Sequence, residues 1–170
     1  MSHAPTPSGR AFRLGDNIDT DQLAPGPFLK LPPQQLAAHC LEAIDPTFAS
    51  TVRPGDVLVA GSNFGMGSSR EQAVVSLKIL GIHAVLARSF ARIFWRNAIN
   101  LGVAALIFPW PEELGAGEQV AVDPAAGRVS NLTRGTSWQV ESLPPQVLAM
   151  LADGGLIPYL RRRRAGGPSA

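Results

Sequence analysis

The chain reads as an α/β domain built on a mixed, partly parallel sheet with flanking helices, and three observations predict this class. Its middle alternates apolar strand-like runs with helical stretches, the pattern of parallel strands joined by right-handed crossovers. Beyond Glu118 that alternation gives way to short segments separated by Gly-containing turns, which read as hairpins. A glycine-rich loop leaves the carboxyl end of one apolar strand and opens a helix, the place where open α/β sheets bind ligands.

Taken in order, residues 1–9 are polar and Pro-rich and read as a flexible lead. A short strand over 11–14 runs into Gly15-Asp16-Asn17-Ile18-Asp19-Thr20-Asp21, a turn dense in Asx residues. Pro25, Gly26, Pro27, Pro32 and Pro33 then punctuate a long loop around Phe28-Leu29-Lys30. A modest helix over 34–43 follows, and Asp45-Pro46 opens a short second one. Residues 56–60 are a buried-type strand. The helix predicted over 70–80 places Ala73, Val74, Leu77 and Leu80 on one face and stops at Gly81. Residues 83–87 are a further strand, Ser89 caps a helix through Asn100, and 103–108 is another apolar strand before Pro109. Segments 119–122, 128–131 and 137–141 are the hairpin strands, and 144–153 is the last helix, ended by Gly154-Gly155. The body therefore spans 10–160, and 161–170, opening with four arginines, reads as a basic flexible tail.

Composition narrows the function classes. At 170 residues the chain buries a real core as one domain, and its formal net charge is only +2 although the pI is about 9.2. Much of the basic excess sits in the arginine run, with no aromatic-basic stripe beside it, so nucleic acid is not the expected partner. Cys40 is the one cysteine, which excludes an intrachain disulfide and cannot by itself hold an iron–sulfur cluster or a structural zinc. His3, His39 and His83 lack ligand spacing, so no metal held by this chain is expected. No segment approaches membrane-spanning length and no apolar signal core leads the chain, so a cytoplasmic protein is expected.

The candidate chemistry centres on Gly61, Gly65 and Gly67, whose loop delivers Ser68, Ser69 and Arg70 to a helix start. Glycines allow a sharp turn with bare N–H groups, and a helix N-terminus favours an anion. Arg70 offers a planar fork for a carboxylate. Ser68 with Glu71 and Ser69 with Gln72 also fit capping-box spacing, and capping alone would account for both serines. The loop matches neither the P-loop nor the dinucleotide fingerprint. Asp16, Asp19, Thr20 and Asp21 form a second cluster, readable as plain Asx-turns and lacking the ligand pattern of a calcium loop. Arg88, Arg92 and Arg96, four residues apart, would share one helical face, solvated or turned to an acidic partner.

The ordered set Gly15-Asp16-Asn17-Ile18-Asp19-Thr20-Asp21, Gly61-Ser62-Asn63-Phe64-Gly65-x-Gly67-Ser68-Ser69-Arg70-Glu71 and Ser89-Phe90-Ala91-Arg92-Ile93-Phe94-x-Arg96-Asn97 resembles the swivel domain of the aconitase superfamily. The likeness is to the free-standing small subunits of its dehydratases, those of 3-isopropylmalate dehydratase and homoaconitase, and covers roughly residues 10–109. It implies a swivelling β/β/α domain that closes over a large subunit carrying a [4Fe–4S] cluster. The reaction it implies is dehydration and rehydration of a hydroxy di- or tricarboxylic acid, with 3-isopropylmalate, of leucine biosynthesis, as the first expectation. Homoaconitate or another alkylmalate is the alternative, and a non-catalytic anion-binding module on the same fold is the reading of another class.

By that resemblance Ser68 is the base that removes a proton α to a carboxylate, Arg70 holds a substrate carboxylate, Asp21 lies at the site's rim and Ser69 supports the loop. The resemblance also implies that the loop after Asp21 carries substrate choice, which makes Phe28 and Lys30 candidate substrate contacts. Lys30 stands where the small subunits tend to have arginine, replacing a fork by a point charge. Met66 and Gln72 depart from the cysteine and histidine usual at those positions.

Overall fold

The computed structural model describes residues 5–166. Seven strands, β1 (Ser8–Arg13), β2 (Val57–Ala60), β3 (Ala84–Ala87), β4 (Ala104–Ile107), β5 (Gln119–Asp123), β6 (Arg128–Asn131) and β7 (Thr136–Gln139), form one sheet in the order β4-β3-β2-β1-β5-β6-β7. The β4-β3-β2-β1 half is parallel and the β1-β5-β6-β7 half antiparallel, so the sheet is mixed as the sequence predicts. β1 is the seam. Its Ala11, Phe12 and Arg13 pair with Val57, Leu58 and Val59, while Ser8, Gly9 and Arg10 pair with Ala121, Val120 and Gln119.

The helices are α1 (Thr20–Leu23), α2 (Pro33–Ala37), α3 (Phe48–Thr51), α4 (Glu71–Ile79), α5 (Arg92–Asn100), α6 (Pro145–Ala152) and α7 (Leu156–Arg164). They cover both faces of the parallel half, which is why its strands read as unbroken apolar runs rather than as alternation. Along β2, Leu58 and Ala60 enter one core with Leu23, Phe48, Leu77 and Phe94. Val57 and Val59 enter the opposite core with Val120, Val129, Met150 and Tyr159. α5 serves both, giving Phe94 and Ala98 to the first core and Ile99 to the second. β4 is the terminal strand on the parallel side, and the Trp95 indole N–H of α5 donates to the Ala105 carbonyl on it at 3.1 Å.

Several boundaries differ from those expected, each for a local reason. β1 begins at Ser8, inside the stretch read as a flexible lead, because Ser8 and Gly9 find partners in β5. Residues 1–4 of that lead lie outside the described residues. The expected helix over 34–43 is cut to α2 and then turns, with Leu41 at φ +59° and its N–H on the Gln22 carbonyl. Ser89 does not cap α5, whose N-cap is Ala91; the Ser89 hydroxyl instead accepts the Asn63 N–H at 2.7 Å.

The arginine run belongs to α7 rather than to a flexible tail. Pro158 sits in the first turn of α7, where a missing N–H costs nothing. Tyr159 is buried, Arg163 Nη1 donates to the Tyr159 hydroxyl at 3.1 Å, and Arg162 Nε forms an ion pair with Asp153 at 2.9 Å. Residues 167–170 of the expected tail lie outside the described residues.

Cys40 is fully buried in the first core, and burial pushes its thiol up to about 12. A thiol-specific reagent at pH about 8 should leave Cys40 of the native chain unlabelled and label it fully in denaturant. Because the folded state holds this proton longer than the unfolded state, stability should fall as pH rises from about 9 towards 12, read as a declining urea midpoint. Fast native labelling would contradict the burial.

Candidate active site

The glycine loop is laced between its neighbours at the carboxyl ends of the parallel strands. On one side Gly61 N–H donates to the Gly15 carbonyl, Asn17 N–H to that of Ser62, Gly65 N–H to that of Ile18 and Thr20 N–H to that of Met66. On the other, Phe64 N–H donates to the Ser89 carbonyl, Ala91 N–H to that of Phe64 and Arg88 N–H to that of Gly61. Asn17 and Asn63 adopt left-handed φ of 57° and 60°, and the Asn63 amide donates to the Asn17 side chain at 3.3 Å. At Gly65, φ is +81° and a Cβ would lie 2.1 Å from the Phe94 ring. At Gly61 a Cβ would lie 1.8 Å from the Asp16 carboxylate, which accepts the Ser62 N–H at 2.7 Å. At Gly65 both the approach to Phe94 and the backbone angle call for glycine, whereas at Gly61 a Cβ would displace the Asp16 carboxylate from its bond to the loop.

The loop presents Ser68 and Ser69 to solvent. Neither caps α4: its N-cap is Arg70, which makes no side-chain cap bond, and α4 begins only at Glu71. The capping-box reading of the two serines is thereby replaced by another set of contacts. The Ser68 and Thr20 hydroxyl oxygens lie 3.1 Å apart, and Ser68 N–H donates to the Thr20 hydroxyl at 3.1 Å. The Ser69 carbonyl accepts from the Asn97 amide of α5 at 3.3 Å. A capping box does exist nearby, at α1, where Asp19 and Gln22 exchange side chain-to-backbone bonds at 2.8 and 2.9 Å. It converts the expected polar turn into a short helix that places Thr20 and Asp21.

Arg70 reaches back to that helix. Its Nη1 pairs with the Asp21 carboxylate and also donates to the Ala24 carbonyl at 3.3 Å. Both contacts use one nitrogen, so the guanidinium is oriented while Nη2 and Nε keep their donors for an incoming oxyanion. The Arg70 side chain is 27% exposed and sits at the N-terminal, positive end of α4.

The other candidates fall into place differently. Phe28 stacks on His39 with ring centroids 3.6 Å apart and packs against the first core, and His39 Nδ1 meets Glu42 at 2.8 Å. Lys30 is exposed, and among the described residues it forms no ion pair. No hydrogen bond ties Phe28 or Lys30 to Ser68–Arg70 among the described residues. Met66 is half-buried, its sulfur 3.5 Å from the Asn63 amide nitrogen, and Gln72 lies exposed on α4.

Arg88, Arg92 and Arg96 do not form one helical stripe. Arg88 precedes α5 and pairs with Glu112 at 2.7 Å and Asp16 at 3.9 Å. Arg92 and Arg96 line a cavity of about 520 Å³ with Trp95 and Leu143, and that cavity excludes Ser68, Ser69 and Arg70. Among the described residues no trio of His, Cys, Asp or Glu is placed to hold a metal ion. Asn97, His39 and Thr20 carry no local sequence signal for these contacts, because their partners Ser69, Phe28 and Ser68 each lie outside their own segment, and Thr20 is one polar residue among many.

An exposed hydroxyl and an oriented guanidinium are thus fixed side by side on a laced loop above the parallel strands, an arrangement chemically suited to a carboxylate. The family described as the Aconitase C-terminal domain matches residues 35–111. The 3-isopropylmalate dehydratase small subunit of Moorella thermoacetica is 47% identical over 159 residues, covering 91% of this chain and 95% of that protein. The methanogen homoaconitase small subunit of Methanothermobacter thermautotrophicus is 46% identical, covering 89% and 88%. A solved structure of 3-isopropylmalate dehydratase from Methanocaldococcus jannaschii superposes with a TM-score of 0.89 at 43% identity, covering 95% of this chain and 96% of that one. The chain belongs to the aconitase superfamily, in its family of dehydratase small subunits, which are subunits of hydro-lyases.

Gly65→Ala combines a left-handed φ with an overlap against Phe94, and should destabilise the fold by about 3 kcal/mol or more in chemical denaturation. A variant as stable as the parent would remove the close packing of loop on α5.

Proposed function

We propose that this chain is the small subunit of a two-chain hydro-lyase that isomerises 3-isopropylmalate by dehydration and rehydration. The observation that carries the reading is the joint presentation of the Ser68 hydroxyl and the Arg70 guanidinium on one laced loop. It is supported by 47% identity over most of the chain to a protein of that name. The free donors of Arg70 bind one substrate carboxylate and fix the adjacent carbon over Ser68. Ser68 Oγ, in its alkoxide form, takes the proton from that carbon as general base. The positive end of α4 and the neighbouring guanidinium favour the alkoxide. Ser69 supports this geometry through its backbone bond to Asn97, and Asp21 sets the angle of the guanidinium.

Loss of the substrate hydroxyl calls for a Lewis acid, and among the described residues nothing is placed to hold one: Cys40 is sealed in the core and no trio of His, Cys, Asp or Glu is gathered. We assign a [4Fe–4S] cluster to the partner large subunit. The exposure of Ser68 and Ser69 supports such a partner, since a base needs a second wall to exclude water. Phe28, locked against His39, and Lys30 are the residues of this chain to which we assign choice of the substrate's side chain.

Assembled with its large subunit, Ser68→Ala should lose turnover by at least about 100-fold with folding and association intact. Near-parental turnover would take the base role from Ser68. Arg70→Lys should raise KM by about 10-fold or more, because one point charge cannot replace the fork, and an unchanged KM would count against the carboxylate clamp. Against a panel of hydroxy acids, the assembled pair should favour 3-isopropylmalate; preference for homoaconitate would move the chain to the homoaconitase branch.

A further inference from the structure

Thr20 is buried at 2% exposure and stands at the start of α1, with its backbone N–H on the Met66 carbonyl at 2.9 Å. A buried hydroxyl must find partners, and in or near a helix it usually finds them on its own backbone. This one reaches across the chain. Its oxygen accepts the Ser68 N–H at 3.1 Å, and the Ser68 Oγ lies 3.1 Å away. Between two neutral hydroxyls either can donate, but once Ser68 Oγ has lost its proton it can only accept, and the Thr20 O–H is then the donor of the pair. Of the charged side chains nearest in sequence, Asp19 accepts the Gln22 N–H and Asp21 and Arg70 are engaged with each other, and no charged group donates to Ser68 Oγ among the described residues.

We propose that Thr20 is the positioning residue for the base: its hydroxyl fixes the Ser68 rotamer through two contacts and donates to Ser68 Oγ when that oxygen is an alkoxide. The inference rests on the assignment of Ser68 as the base. Thr20 keeps its own proton throughout. The proton leaving the substrate carbon goes to Ser68 Oγ, the C–H electron pair stays with the substrate, and the Thr20 donor bond weakens as the oxygen is neutralised. A hydrogen bond to a charged oxygen is stronger than one to a neutral hydroxyl, so Thr20 stabilises the reactive form more than the resting one. A side chain needed only to fill space at this buried place could as well be valine, which lacks the hydroxyl.

The test compares Thr20→Val and Thr20→Ser in the enzyme assembled from both subunits, each also combined with Ser68→Ala. Thr20→Val should lower kcat about 10- to 100-fold with KM within about twofold, and Thr20→Ser should return kcat to within about threefold of the parent. On the Ser68→Ala background Thr20→Val should cause no further loss, since it acts through that oxygen. In the isolated chain, hydrogen exchange at the Ser68 amide should quicken in Thr20→Val and stay slow in Thr20→Ser. Full kcat in Thr20→Val, equal damage in both variants, an added loss without Ser68, or unchanged Ser68 exchange would each overturn the proposal. If Ser68→Ala itself turns over normally, the base assignment fails and this inference falls with it. If Ser68→Ala is inactive and Thr20→Val is not, only the inference fails.

Discussion

The backbone lacing of the 61–67 loop to the turns on either side of it is the constraint from which the rest of the site follows. These bonds extend the parallel pairing of β1, β2 and β3 beyond the strands, through isolated bridges at Asp19 with Met66 and at Phe64 with Phe90. A loop held by its neighbours' carbonyls and amides has few conformations left. The positive φ values at Asn63, Gly65 and Gly67 are therefore imposed by the framework and not left to local preference. Function placed on such a loop inherits the rigidity of a sheet while staying at the surface.

The sheet itself divides the labour. The parallel half, buried on both sides, supplies the carboxyl ends over which the loop is built. The antiparallel half continues from the other end of β1 and carries none of the candidate residues. Because β1 gives its first residues to one half and its last to the other, the two halves share one strand and one second core. Glu118 secures the antiparallel side by accepting from Gly115 N–H, the Asn131 amide and Arg134, with the Gly115 bond foremost in holding its carboxyl below the ordinary range.

How much could be read beforehand depended on whether a residue's partner lay nearby in sequence. The unbroken apolar runs of β2, β3 and β4 and the glycine-to-serine loop were legible, because burial and chain punctuation are local signals. The serines' escape from capping was not, since it turns on Thr20 and Asn97, both far away in sequence. α7 was hidden for a similar reason: four adjacent arginines read as a solvated tail until Asp153 and Tyr159 are seen to hold Arg162 and Arg163. Phe28 was legible as a candidate but not as half of a stacked pair with His39. The ordered motifs supplied what single residues could not, because their resemblance to a family encodes distant neighbours at once.

One detail of the parallel half bears on the life of the subunit before it meets its partner. β4 ends the sheet, and an unpaired strand edge is a template on which a second copy can add. The Trp95 indole occupies the Ala105 carbonyl on that strand, so the ladder another chain would need is already interrupted at its middle. One helix thus does two things at once: its Asn97 steadies the glycine-rich loop through the Ser69 carbonyl, and its Trp95 blunts the open edge of the sheet.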